Sequence, residues 1–112
     1  MQKLKFMRRP KIVDMISKAM KEIAPDATTI LYGSEARGTA REDSDFDILV
    51  LLPDNNSKEK SFAKRKIEIF DRLYEIELAR NVMISPLILL RSMWERRRTP
   101  FTCNVMNEGI II

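Results

Sequence analysis

Residues 33–47 read GSEARGTAREDSDFD, and they lie between two runs of strand character. Before them, Ala27 to Tyr32 (ATTILY) is β-branched and aromatic, which predicts a short buried strand. After the turn, Asp45 to Leu52 (DFDILVLL) opens with alternation and continues as an unbroken apolar run. Such a run predicts a central strand covered on both faces. Gly33 and Gly38 are two of only three glycines in the chain, and Ser34 to Arg41 reads as a turn with a short helix. Backbone N–H groups at a strand-to-turn junction form an anion site.

Two common phosphate motifs do not fit. Gly33 and Gly38 have half the spacing of a P-loop, but Thr39 and Ala40 stand where Lys and Ser/Thr are required. The dinucleotide pattern G-x-G-x-x-G is also absent. Asp45 and Asp47 carry more information. At i and i+2 on a strand they point to one face, about 7 Å apart, while Phe46 points the other way into the core. Two neighbouring carboxylates repel unless cations neutralise them. Oxygen ligands of this kind suit one or two Mg²⁺ ions. A bare D-x-D is usually an exposed strand entrance. The conjunction is more specific, because the Gly-Ser turn precedes the D-x-D by ten residues.

Outward from this segment, Lys11 to Ala24 predicts an amphipathic helix, with Ile12, Met15, Ile16, Ala19, Met20 and Ile23 at steps of three and four. Pro10 suits its first turn, and Pro25-Asp26 ends it. Ser57 can cap a long charged helix reaching about Ala79. On it Phe62, Ala63, Ile67, Phe70, Leu73, Tyr74 and Glu77 follow helical spacing, with Lys and Arg opposite. Val82 to Leu90 is a third strand, and Pro86 within it argues for an edge or a bulge. Ser92 with Glu95 fits a capping box for a helix over Met93 to Arg97. Pro100 starts another helix that ends at Gly109. Ile110 to Ile112 is a short edge strand or a partner contact. The whole is a single small α/β (α+β) domain over residues 1–112, with a mixed sheet of three or more strands flanked by helices.

Composition bounds the chemistry. The chain has 112 residues, no histidine, one cysteine and a net charge of +4. Ser-His-Asp triads, His-Cys dyads and zinc knuckles are excluded. Any metal must rest on oxygen ligands, which points to Mg²⁺, Mn²⁺ or Ca²⁺. The basic N-terminus lacks an apolar core for a secretory signal, and no stretch is long enough to span a bilayer. The expected setting is cytoplasmic, with no membrane contact. The positive excess suits anionic partners; nucleic acid is compatible but not indicated. Arg96-Arg97-Arg98 beside Trp94 reads first as a solvated helix face, with RNA or an acidic partner as the alternative. Cys103 reads as a small core residue.

The segment GSEARGTAREDSDFD resembles the nucleotidyltransferase superfamily related to DNA polymerase beta, and within it the minimal nucleotidyltransferases. The flow of elements agrees from Ile12 to about Leu90, and Asn107-Glu108-Gly109-Ile110 is similar to the close of some minimal members. The resemblance implies the nucleotidyltransferase fold. It implies that Gly33 and Ser34 grip the β- and γ-phosphates of ATP or another nucleoside triphosphate, that Arg37 neutralises phosphate charge, and that Asp45 and Asp47 bind Mg²⁺ or Mn²⁺ as the catalytic carboxylates. A hydroxyl acceptor would attack the α-phosphate and release pyrophosphate. The resemblance also implies a separate helical HEPN-type partner, with the chain as antitoxin and AMP transfer as one outcome. A homo-oligomer is a further expectation.

The third strand departs from the pattern. Active members carry a third acidic residue there, and this strand has no Asp or Glu. Met83 occupies the expected position, and Glu75 and Glu77 are the nearest acids in sequence. The alternative reading is therefore a catalytically weakened nucleotide-binding or partner-binding module.

Overall fold

The computed structural model describes residues 9–54 and 59–112. The order is α1 (Pro10–Ile23), β1 (Thr28–Tyr32), α2 (Gly33–Arg37), β2 (Phe46–Leu52), α3 (Glu59–Arg80), β3 (Ile84–Leu90), α4 (Arg91–Glu95), α5 (Pro100–Glu108) and β4 (Ile110–Ile111). The expected sequence of elements holds, with boundaries moved by one or two residues. The expected cap at Ser57 lies outside the described residues.

The four strands form one mixed sheet in the order β3-β2-β1-β4. β1 pairs antiparallel with β2 and with β4, and β2 pairs parallel with β3. The parallel pair is made possible by α3, which carries the chain back across one face. β2 is the central strand that its apolar run predicts. Phe46, Ile48, Val50 and Leu52 pack with Val13, Ile16 and Met20 of α1 and Ile69, Leu73 and Ile76 of α3. Leu49 and Leu51 pack on the other face with Leu89, Trp94 and Val105. Fully burying Phe46 is worth about 2–3 kcal/mol. That burial also fixes the strand's rotation, so Asp47 must project on the second face. β3 is an edge strand, as Pro86 requires.

Three local expectations are corrected. Ile67, Phe70 and Tyr74 of α3 are 61%, 44% and 57% exposed, because the helix carries two apolar stripes and packs on α1 and the sheet through Ile69, Leu73 and Ile76. Periodicity alone cannot choose between two such stripes. Ser92 caps nothing: α4 begins at Arg91 without a side-chain cap, and the Ser92 N–H donates to Asp54 Oδ1 at 3.1 Å. The capping box belongs to α5 instead, where the Thr99 and Thr102 side chains each accept the other's backbone N–H. Cys103 is exposed on α5 rather than in the core, since Thr102 and Val105 take the inward positions. Among the described residues no helix is long and apolar enough to cross a membrane.

Candidate active site

Antiparallel pairing of β1 with β2 sets Tyr32 directly opposite Asp47. The residue after Tyr32 is Gly33, so the turn leaves the sheet against the Asp47 carboxylate. Gly33 has φ +76°, and a Cβ there would collide with the Asp47 side chain. Glycine is needed for both reasons. Gly38, also at φ +76°, closes α2 as a left-handed cap, its N–H donating to Glu35 O at 3.3 Å.

Asp45 stands just ahead of β2 and is exposed, whereas Asp47 is half-buried. Burial pushes the Asp47 carboxyl above its usual range, Asp45 and Glu108 push it the same way, and Arg37 opposes them. Burial, with the neighbouring Asp47 charge, also raises the Tyr32 hydroxyl. The site thus holds more negative charge than its own cations neutralise.

The parallel register aligns Ser85 with Asp47, and the Ser85 hydroxyl donates to Asp45 Oδ2 at 3.0 Å. Ser85, rather than Met83, is thus the residue in register with Asp47. Met83 is 59% exposed, and its carbonyl accepts the Phe46 N–H at 2.9 Å. Glu75 and Glu77 do not substitute either: Glu75 pairs with Arg72 on the outer surface of α3, and among the described contacts neither acid reaches Asp45 or Asp47. Asp45, Asp47 and Ser85 make an all-oxygen donor set, which fits Mg²⁺ or Mn²⁺ in kind. Among the described residues no group of three or more His, Cys, Asp or Glu is arranged to hold a metal.

Two supports were not visible in the motif. Glu35 is fully buried beneath α2 and pairs with Arg9 at 3.2 Å. The same guanidinium donates to Ser44 O at 2.6 Å and Glu42 O at 3.0 Å, and lies 4.0 Å over the Phe46 ring. Arg9 therefore ties the turn to the loop that delivers Asp45. From the other side, Glu108 Oε1 accepts the Gly33 N–H at 3.0 Å, and both Glu108 oxygens accept Arg37 Nη1, at 3.2 and 3.0 Å. The Ser34 hydroxyl has no hydrogen-bond partner among the described residues, although the Ser34 carbonyl accepts the Thr39 N–H at 3.0 Å.

The basic run lies elsewhere. Arg91, Arg97 and Arg98, with Ile30, Leu51 and Trp94, line an open cavity of about 500 Å³. It lies toward the Thr28–Leu51 end of the β1–β2 pair, away from Tyr32 and Asp47.

Comparison with known proteins bears on the family and the fold. A protein of Methanocaldococcus jannaschii named as a candidate protein adenylyltransferase is 32% identical over 104 residues, covering 85% of this chain and 96% of that protein. A crystal structure of a toxin–antitoxin with AMP-PNP shares the fold, with a TM-score of 0.58 at 18% identity over 88% of this chain and 69% of that one. The sequence model of the family described as "Nucleotidyltransferase domain" matches residues 13–101, a span that contains the turn, both aspartates and Ser85. By that match and the identity to the archaeal relative, this chain belongs to the nucleotidyltransferase domain family.

Proposed function

We propose that the chain transfers a nucleoside monophosphate, AMP from ATP, to a hydroxyl on a partner protein, with Mg²⁺ or Mn²⁺ as cofactor. The observation that carries this reading is the apposition of Gly33 and Asp47, which brings an anion-binding turn against a carboxylate pair in need of cations. The archaeal relative's name supports protein adenylylation, and the toxin–antitoxin neighbour supports a nucleotide and a protein partner. A helical HEPN-type toxin in the cytoplasm is the partner this reading favours.

In the proposed reaction the Gly33–Ser34 turn receives the β- and γ-phosphates, with the Ser34 hydroxyl as donor because Glu108 takes the Gly33 N–H, and Arg37 offsets their charge. Asp45 and Asp47 would hold the divalent ion, which would supply positive charge to offset that of the phosphates and carboxylates. The acceptor oxygen forms a bond to the α-phosphorus while the bond to the bridging oxygen of pyrophosphate breaks. The hydroxyl proton passes to a site carboxylate or to water. Such chemistry depends on positioning and charge neutralisation, so a site without histidine suffices.

A second reading is favoured by Ser85. A hydroxyl opposite Asp47 supplies neither the charge nor the basicity of a third carboxylate. The protein would then bind nucleotide and partner without turnover. Incubation with labelled ATP, Mg²⁺ and the helical partner separates the two. Label on the partner that vanishes in Asp45→Asn and Asp47→Asn supports the enzyme. Mg²⁺-dependent ATP binding without label supports the module.

A further inference from the structure

A helix of five residues cannot hold its own shape, because one turn returns fewer hydrogen bonds than its nucleation costs. α2 carries all three residues assigned to phosphate, so what fixes α2 fixes the nucleotide site. From beneath, Glu35 anchors it through Arg9. From the open side, a single carboxylate of α5 holds both of its ends. Glu108 takes the Gly33 N–H at the start of α2 and Arg37 Nη1 at its finish.

Neither end is fixed by its own covalent structure. Gly33 sits at a φ that glycine leaves easily. Arg37 is a long, half-exposed side chain with large rotamer entropy. Arg37 and the Gly33 amide hold the Glu108 carboxyl below its usual range, so it is ionised at neutral pH. The contact takes the one N–H of Gly33 and one nitrogen of Arg37, which leaves phosphate to Ser34 and the rest of the guanidinium. Among the described residues, Arg37 Nε and Nη2 and the Ser34 hydroxyl donate to no protein group. Glu108 is itself held firmly. The next residue, Gly109, packs so closely on Ile30 that a Cβ would collide, and β4 then pairs with β1. At the other end of α5, Phe101 meets Tyr32 edge-on at 5.6 Å.

We propose that Glu108 is a positioning residue for the nucleotide: it holds Gly33 and Arg37 in the geometry that receives the triphosphate, and so makes α5 part of the site. This rests on the reading of Gly33, Ser34 and Arg37 as the phosphate turn. It adds a residue outside residues 13–101, the span that the family model matches.

The test is a double-mutant cycle on the full chain. It reads Mg²⁺-dependent AMP-PNP affinity by calorimetry and thermal melting without nucleotide. Glu108→Ala is expected to weaken binding roughly tenfold. Glu108→Gln keeps an acceptor for the Gly33 N–H and loses the charge on Arg37, so it falls between. In an Arg37→Ala background, Glu108→Ala costs only two- to threefold by the same reckoning, because part of its effect runs through the missing guanidinium. If Glu108→Ala lowers the melting temperature below the assay temperature, the cycle is run with Glu108→Gln, whose loss must also shrink without Arg37. Unchanged affinity, or equal losses with and without Arg37, overturns the proposal. Tighter binding overturns it too, since Glu108 would then be competing with phosphate for the same donors. Wild-type protein that is folded yet binds no nucleotide refutes the phosphate turn itself, and that result appears before any Glu108 variant is made.

Discussion

Arg9 and Glu35 form an ion pair in which the carboxylate is fully buried and the guanidinium only 15% exposed. Its position explains its role: it joins the underside of the turn to the loop before Asp45. Replacing Arg9 by Met leaves a buried carboxylate without its cation, which costs about 3 kcal/mol. Denaturant unfolding is expected to show that loss. Mn²⁺ affinity should fall in the same variant under conditions where it remains folded, because the loop delivering Asp45 loses its tether.

Asp47 is destabilising in the absence of metal, since burial and Asp45 both disfavour its charge. Asp47→Asn should therefore raise the melting temperature of the metal-free protein by about 2–4 °C. If Asp45 and Asp47 form the proposed metal site, Mg²⁺ should stabilise the wild type and the same change should abolish that stabilisation. A melting curve with and without Mg²⁺ reads both effects, and a lower metal-free melting temperature would contradict the electrostatic account.

Ser85→Asp places a carboxylate in register with Asp47, where the strand now offers a hydroxyl. Ligand charge governs affinity for hard cations, so Mn²⁺ should bind about tenfold tighter. The metal-free protein should melt lower, because three like charges then crowd the same end of the β2–β3 pair. Calorimetric titration with Mn²⁺, beside metal-free melting, checks the pair of outcomes.

Away from the site, Arg65 holds the Asp26 carboxyl below its ordinary value of 3.8 through two hydrogen bonds, at 2.8 and 2.6 Å. A lowered carboxylate stabilises the fold above its unfolded pKa and loses that contribution as pH falls through the folded one. Asp26 is 43% exposed, so solvent limits the pair to about 0.5 kcal/mol. Asp26→Asn should cost that much at pH 7, with the difference from wild type shrinking as pH drops below 3.8. Urea unfolding at several pH values measures it.

Much of this was legible in sequence for local reasons. The run DFDILVLL could only be a strand buried on both faces, and the glycine turn with Asp45 and Asp47 lies within fifteen residues of chain. What was not legible depends on register and long-range packing. The choice between Met83 and Ser85 rests on how β3 slides against β2, and α3 between them leaves that offset undetermined. Arg9 lies 26 residues from Glu35, and Glu108 lies 75 residues from Gly33. No spacing rule connects such pairs. Pro86 did signal an edge, but an edge says nothing about which residue faces the carboxylates.

The parallel pairing of β2 with β3 has a consequence for the order of assembly. β1, the turn and β2 can close as a local hairpin early in synthesis, with Asp45 and Asp47 already side by side. Ser85 arrives only after α3 has crossed the sheet, and Glu108 later still. Long-range closure of this kind is slow compared with local pairing. A nascent chain thus displays Asp45 and Asp47 well before Ser85 and Glu108 are there to meet them.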